Sequence, residues 1–178
     1  MALQIADSFF ARMDDKEINL CLAINRLSNI ISVKHFFRII SRLGDGVLWY
    51  GLILLLPVIY GYSALYVSLH MLAVGVVTLL IYKSIKKFTV RDRPCITHAS
   101  VNVGTAPLDQ YSFPSGHTMH AVSFSTIILF YYPEFGLYVI PFTLLVMLSR
   151  IILGLHYPSD VLLGALFGGL IASTSFLI

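Results

Sequence analysis

The stretch VLWYGLILLLPVIYGYSALYVSLHMLAVGVVTLLIY, Val47 to Tyr82, contains no Asp, Glu, Lys or Arg. Gly61 marks a turn inside it, so it reads as two apolar segments, Val47 to Tyr62 and Ser63 to Tyr82. Three further apolar runs follow, Thr118 to Tyr132, Leu137 to Leu153 and Val161 to Ile178. Each has roughly 15–20 residues, close to the length that crosses about 30 Å of hydrocarbon as a helix. A helix of a soluble protein keeps a polar face, whereas these segments are apolar nearly all round, with Arg150 near the end of the fourth as the one charged residue. The whole chain is 57% hydrophobic and 12% charged. Those numbers point to an all-α, integral membrane helical bundle and away from a nucleic-acid partner.

The segment before these runs is different. Between Ile18 and Arg42, Lys34, Arg38 and Arg42 recur every four residues beside Phe36, Phe37, Ile39 and Ile40. That spacing gathers the cations on one stripe, as in a helix lying at a membrane surface. A sixth, weakly hydrophobic span is the alternative reading. The expected organisation is a single domain over residues 1–178, with an amphipathic N-terminal segment (1–45), five to six spans, and a polar loop (83–117). Gly44-Asp45-Gly46 breaks the chain before the first clear span. Met1 to Asn25 lacks the basic-then-apolar order of a cleavable leader. Cys21 and Cys95 lie far apart without metal-ligand spacing and read as buried thiols.

Polar residues concentrate in three clusters at span ends. The first is Lys86-Lys87-Phe88-Thr89-Val90-Arg91-Asp92-Arg93-Pro94, the second Ser112-Phe113-Pro114-Ser115-Gly116-His117, and the third Ser149-Arg150 with His156 and Asp160. Two spans separate the long loop from the His156 stretch, which puts all three on one membrane face. Ionisable groups are costly there and usually mark a functional site. Lys86, Arg93 and Arg150 together suit an oxyanion such as phosphate, since guanidinium forks bind its oxygens in pairs. Ser115-Gly116-His117 opens a helix whose free N–H groups favour an anion, although a plain cap reads equally well. His156 and Asp160 share a helical face, so the carboxylate can fix one ring nitrogen and leave the other free to attack. Lys83 and Lys87 read as headgroup anchors, Arg91 and Asp92 as a pair with each other or not, and His120 as packing or facing the site. Trp49, Tyr50, Tyr131 and Tyr132 read as an interfacial belt. Gly164 and Gly168 fit either a homodimer face or close packing inside the bundle.

Lys86-x6-Arg93-Pro94, Pro114-Ser115-Gly116-His117 and Ser149-Arg150-x5-His156-x3-Asp160 resemble, in order and spacing, the three-part signature of the type 2 phosphatidic acid phosphatase superfamily. The resemblance implies that Lys86, Arg93 and Arg150, with Ser115 and the Gly116 backbone, hold the phosphoryl oxygens. It further implies that His156 is the nucleophile, oriented by Asp160, and that His117 protonates the leaving oxygen. No metal and no other cofactor is expected. The implied substrate is a membrane lipid phosphate or diphosphate: undecaprenyl diphosphate, phosphatidylglycerol phosphate or phosphatidic acid.

Vanadium-dependent haloperoxidases and soluble acid phosphatases share the constellation, but the apolar spans argue against both. A lipid phosphotransferase using the same site stays open, and a non-catalytic lipid-binding or transport protein would need no His-His-Asp set. The resemblance places the chain in the inner (cytoplasmic) membrane with the site on the periplasmic face. Against that, Arg12, Lys16, Arg26, Lys34, Arg38 and Arg42 precede the spans, while the Gly61 and Pro133 turns carry no Lys or Arg.

Overall fold

The structure is a computed structural model that describes residues 2–107 and 109–178, with side chains from residue 12 onward. The first eleven side chains of the N-terminal segment, and Leu108 of the polar loop, lie outside the described residues. Among the described residues every regular element is helical: α1 (Ala2–Asn25), α2 (Ile31–Arg42), α3 (Leu48–Tyr60), α4 (Ala64–Thr89), the single turn α5 (Pro94–Thr97), α6 (Gly116–Tyr131), α7 (Gly136–Ile152) and α8 (Pro158–Ser175). Three stretches among them are long and apolar enough to cross a membrane: Ile31–Tyr60, Ala64–Thr97 and Pro133–Ile152. The chain is therefore a helical membrane protein in which three crossings stand on length and hydropathy.

Helix α6 is central and packs against α4, α7 and α8. Its tightest neighbour is α8, because Gly164 and Gly168 let the two backbones meet. A methyl group on Gly168 would lie 2.4 Å from the Met119 carbonyl oxygen, and one on Gly164 would lie 3.0 Å from that of Ser115. The small-residue pair thus serves packing within the bundle. Ser123 adds a hydrogen bond to the Gly168 carbonyl at 3.0 Å.

Two sequence expectations are corrected by this packing. Helix α4 continues through Thr89, so Lys86 stands on a helix rather than in the polar loop. Trp49 is fully buried against Phe124 and Phe142, with ring centroids 5.5 Å and 5.8 Å away, and is no belt residue. The belt reading suits the other end of the bundle better. There Tyr60 stacks on Tyr132 at 4.5 Å and donates to Glu134 at 3.1 Å.

The polar loop is fastened at both margins. Asn25 donates to the carbonyls of Asn102 (3.0 Å) and Ile152 (2.8 Å) and accepts from the Asn102 N–H at 2.8 Å. Gly104 donates to the Leu153 carbonyl at 2.9 Å, and Arg38 of α2 donates to the carbonyl of Gly104. Arg38 is thereby committed to holding the loop. At the other margin Ser112 N–H bonds the Arg91 carbonyl at 2.8 Å.

Candidate active site

The C-terminal ends of α4 and α7 and the N-terminal ends of α6 and α8 converge at one end of the bundle. Between them and the turn before α3 lies a cavity of about 410 Å³. Lys86, Arg93, Gly116, His117, Arg150 and His156 all line it. Of the expected site residues, Ser115 and Asp160 do not reach its wall. Ser115 is buried, accepts from the Thr118 hydroxyl at 3.0 Å, and ties α6 to α8 through its N–H to the Asp160 carbonyl at 3.1 Å. In this arrangement Ser115 joins α6 to α8.

Each cation is aimed by the backbone. Val90 ends α4 in the left-handed region, φ 49°, which for a β-branched residue costs roughly 1–2 kcal/mol. The reversal sends Arg91 and Arg93 in different directions. Arg93 enters the cavity, donating to the Leu155 carbonyl at 2.8 Å and to His156 Nε2 at 3.3 Å. Arg150, at the end of α7, donates to the Ser41 hydroxyl of α2, while its Nε has no partner among the described residues. A buried guanidinium with an unused donor on the cavity wall is a site for an oxyanion.

Asp109 was not anticipated. Its carboxylate accepts from Lys86 Nζ at 2.7 Å and 2.9 Å and from Arg93 Nη2 at 2.6 Å. Burial tends to raise the Asp109 carboxyl, but the hydrogen bonds and charges of Lys86 and Arg93 outweigh it and hold the group below the usual carboxylate range. Asp109 thus occupies the same donors that an incoming oxyanion would use.

His156 sits on a tight turn, where the Arg150 carbonyl accepts both the Leu155 and His156 N–H groups at 3.1 Å. Because Arg93 can only donate, Nε2 carries the lone pair and Nδ1 carries the hydrogen. Nδ1 faces Asp160 Oδ2 at 3.5 Å, longer than a formed hydrogen bond, and has no other partner among the described residues. Burial, followed by the charges of Arg93, Arg150 and Lys86, drives the His156 pKa well below the ordinary imidazole range. The ring is therefore neutral at physiological pH, as a nucleophile requires.

Behind it lies a cluster that the spacing did not reveal. Asp160, fully buried, accepts from the Tyr157 N–H at 2.9 Å and from Arg91 Nη1 at 2.6 Å. Arg91 also donates to Asp14 (2.6 Å) and Glu17 (3.1 Å) of α1 and to Ser159 (2.8 Å), and its guanidinium lies 4.3 Å from the Tyr157 ring centre. Glu17 in turn receives the Ser159 N–H at 2.7 Å. Arg91 therefore pairs with Asp160 and α1, and the alternative pairing with Asp92 does not form.

His117 has its own carboxylate. Its Nε2 lies 3.2 Å from Asp45 Oδ1, in the turn before α3. Gly44-Asp45-Gly46 looked like a chain break, and only the glycines flanking an acid hinted otherwise. His120 does reach the cavity, but its ring nitrogens face the Gly116 and Gly75 carbonyls at 3.1 Å and 3.2 Å. Lys83, expected as an anchor, lines the mouth. His98 and Lys87 are not on the wall. Cys21 is buried, which pushes its thiol up to about 12 and leaves it inert.

A bundle of membrane-length helices with a cation- and histidine-lined cavity at one end defines a helical membrane protein equipped to hold an oxyanion. The chain belongs to the PAP2 superfamily, whose family model matches residues 69–178. Among curated relatives, the lipid A 1-phosphatase of Rhizobium etli is 30% identical over 114 residues, covering 60% of this chain and 49% of the relative. The decaprenylphosphoryl-5-phosphoribose phosphatase of Mycobacterium tuberculosis is 40% identical over 91 residues, covering 50% and 48%. The chain thus spans about half the length of these relatives. The crystal structure of Aquifex aeolicus LpxE superposes with a TM-score of 0.79 at 25% identity, covering 91% of this chain and 95% of that one. A PAP2-type phosphatidylglycerolphosphate phosphatase from Bacillus subtilis gives 0.68 at 25% identity, covering 89% and 83%. Asp14, Glu17 and Asp45 lie outside the segment that the family model matches.

Proposed function

We propose that this chain is a metal-independent phosphatase acting on a membrane lipid phosphate through a phosphohistidine. The observation that carries the reading is one cavity with two unlike halves. One half presents Lys86, Arg93, Arg150 and the neutral His156; the other is apolar, with Leu72, Val76, Leu79 and Phe124. Leu72, Val76 and Leu79 belong to α4, a membrane-length helix, which supports an apolar half that opens toward lipid. A phosphate headgroup fits the first half while its tail stays in the bilayer.

In the proposed reaction the phosphate displaces Asp109 from Lys86 and Arg93 and takes the free donor of Arg150. His156 Nε2 then attacks phosphorus, the bond to the lipid oxygen breaks, and that oxygen takes the proton of His117. Asp160 supports the positive charge that develops on the His156 ring. Water next cleaves the phosphorus–nitrogen bond, giving hydrogen phosphate and restoring both histidines. The net change is lipid phosphate dianion plus water to lipid alcohol plus hydrogen phosphate dianion. Positioning and positive charge supply most of the acceleration in such transfers.

The names of the relatives favour lipid-linked sugar or glycerol phosphates as substrates. We further propose five crossings (α3, α4, α6, α7 and α8), with α1 and α2 at the surface beside the site. The site faces the periplasm of the inner membrane; the commitment of Arg38 to the polar loop removes one cation from the opposing topology signal. A reporter fused after Ile178 should be active in the cytoplasm, and a periplasmic signal there contradicts this orientation. The activity is tested by phosphate release from purified lipid monophosphates and diphosphates in detergent. His156→Ala should lower every such rate by about a thousandfold or more. Near-normal release by that variant refutes the mechanism.

A further inference from the structure

We propose that Asp45 selects the leaving group, so that the enzyme favours lipid phosphomonoesters whose departing oxygen belongs to an uncharged, hydroxyl-bearing group and disfavours diphosphates. The proposal rests on the phosphatase reading above and adds the substrate class to it. With His156 attacking from one side, in-line displacement places the departing oxygen beside His117. Asp45 Oδ1 is 3.2 Å from His117 Nε2, so a carboxylate borders the position of whatever leaves. That carboxylate is 44% exposed and forms part of the cavity wall, within reach of a bound headgroup.

The position is built into the chain. A methyl group on Gly44 would lie 2.6 Å from a Val146 side-chain carbon, and one on Gly46 would lie 2.6 Å from the Tyr50 ring. Gly46 also has φ 128°, a conformation that residues with side chains rarely adopt. The turn can therefore follow this path only with glycine on both sides of the acid, and it aims one carboxylate at the departing side of the site.

Charge decides what that carboxylate tolerates. Lys86 and Arg93 pair with Asp109, while Asp45 Oδ1 lies beside His117 Nε2 at 3.2 Å and feels the charge of Arg150. In a diphosphate the departing group is itself an anionic phosphate, which would be pressed against Asp45 while Arg150 is engaged with the transferred phosphoryl group. Like charges held together in a partly desolvated site are strongly unfavourable. A sugar or glycerol leaving group carries no charge there, and a neighbouring hydroxyl can donate to the free carboxylate oxygen.

The test compares three lipids in detergent: a polyprenyl monophosphate, the polyprenyl diphosphate of the same tail, and phosphatidylglycerol phosphate. The readout is the ratio of kcat/KM for the diphosphate to that for each monoester. Asp45→Asn should raise both ratios about tenfold or more, and Asp45→Glu, which keeps the charge, should hold them near the wild-type values. Asp45→Ser gives the same reading as Asp45→Asn if the amide variant is not monodisperse. Ratios that stay within about twofold of wild type, even if all rates fall together, overturn the proposal and leave Asp45 with only a role in placing His117. Loss of phosphate release from all three lipids in the wild-type protein, or release that survives His156→Ala, overturns the underlying phosphatase reading instead.

Discussion

His117 and His156 stand in opposite surroundings on the cavity wall. On the His156 side, Asp160 and Arg91 are almost wholly buried, and Asp14, Glu17, Ser159 and Tyr157 close around them. On the His117 side a single carboxylate, Asp45, approaches from a glycine-flanked turn and stays open to the cavity. A nucleophile must meet phosphorus at one angle whatever lipid is bound, so a locked surround costs nothing in range of substrates. The departing side meets a different group in each substrate, and an open wall with one adjustable charge suits it. The comparison teaches that the two sides of the cavity rest on different elements: α4, α7 and α8 around His156, and the turn before α3 beside His117.

The comparison is broken most sharply at His117. His117→Ala should lower kcat on a lipid monoester by about a hundredfold or more, as loss of a general acid does. The loss should shrink markedly for p-nitrophenyl phosphate, whose leaving oxygen needs no proton. An equal loss on both substrates places His117 elsewhere in the mechanism.

A smaller effect is expected behind the nucleophile. Arg91→Gln should lower kcat about tenfold while KM moves less than about twofold, because Arg91 meets Asp160 and not the cavity. The split between kcat and KM separates this positioning role from general damage, and Arg91→Lys, which keeps the charge, should restore part of kcat. A KM that rises in step with the fall in kcat would contradict the positioning role.

Much of this molecule is legible in its sequence, for identifiable reasons. The apolar runs give the helices to within a few residues, except at the end of α4, which continues past Tyr82 to Thr89, because length and uniform hydropathy are local properties. Lys86, Arg93, His117, Arg150 and His156 are legible as well, since they stand at span ends at fixed spacings and the bundle brings those ends together. Asp45, Asp109 and the Arg91 cluster are not. Their partners lie 69 and 77 positions away for Arg91 and 23 away for Asp109, and no local spacing encodes such distances. The burial of Ser115 is illegible for a related reason. Its hydroxyl belongs to a local pattern, while the close approach of α6 to α8 at Gly164 that buries it is a matter of packing. Trp49 misleads likewise, because its place in the core depends on Phe124 and Phe142 from other helices.

The central claim is that His156 carries the phosphoryl group. Acid-labile phosphohistidine is sought by rapid quenching of the protein during turnover of a lipid phosphate, followed by mass spectrometry of its peptides under alkaline conditions. The account predicts a phosphoryl adduct on His156, present during turnover and gone after substrate is exhausted. Turnover without any adduct, or with the adduct on another residue, contradicts it.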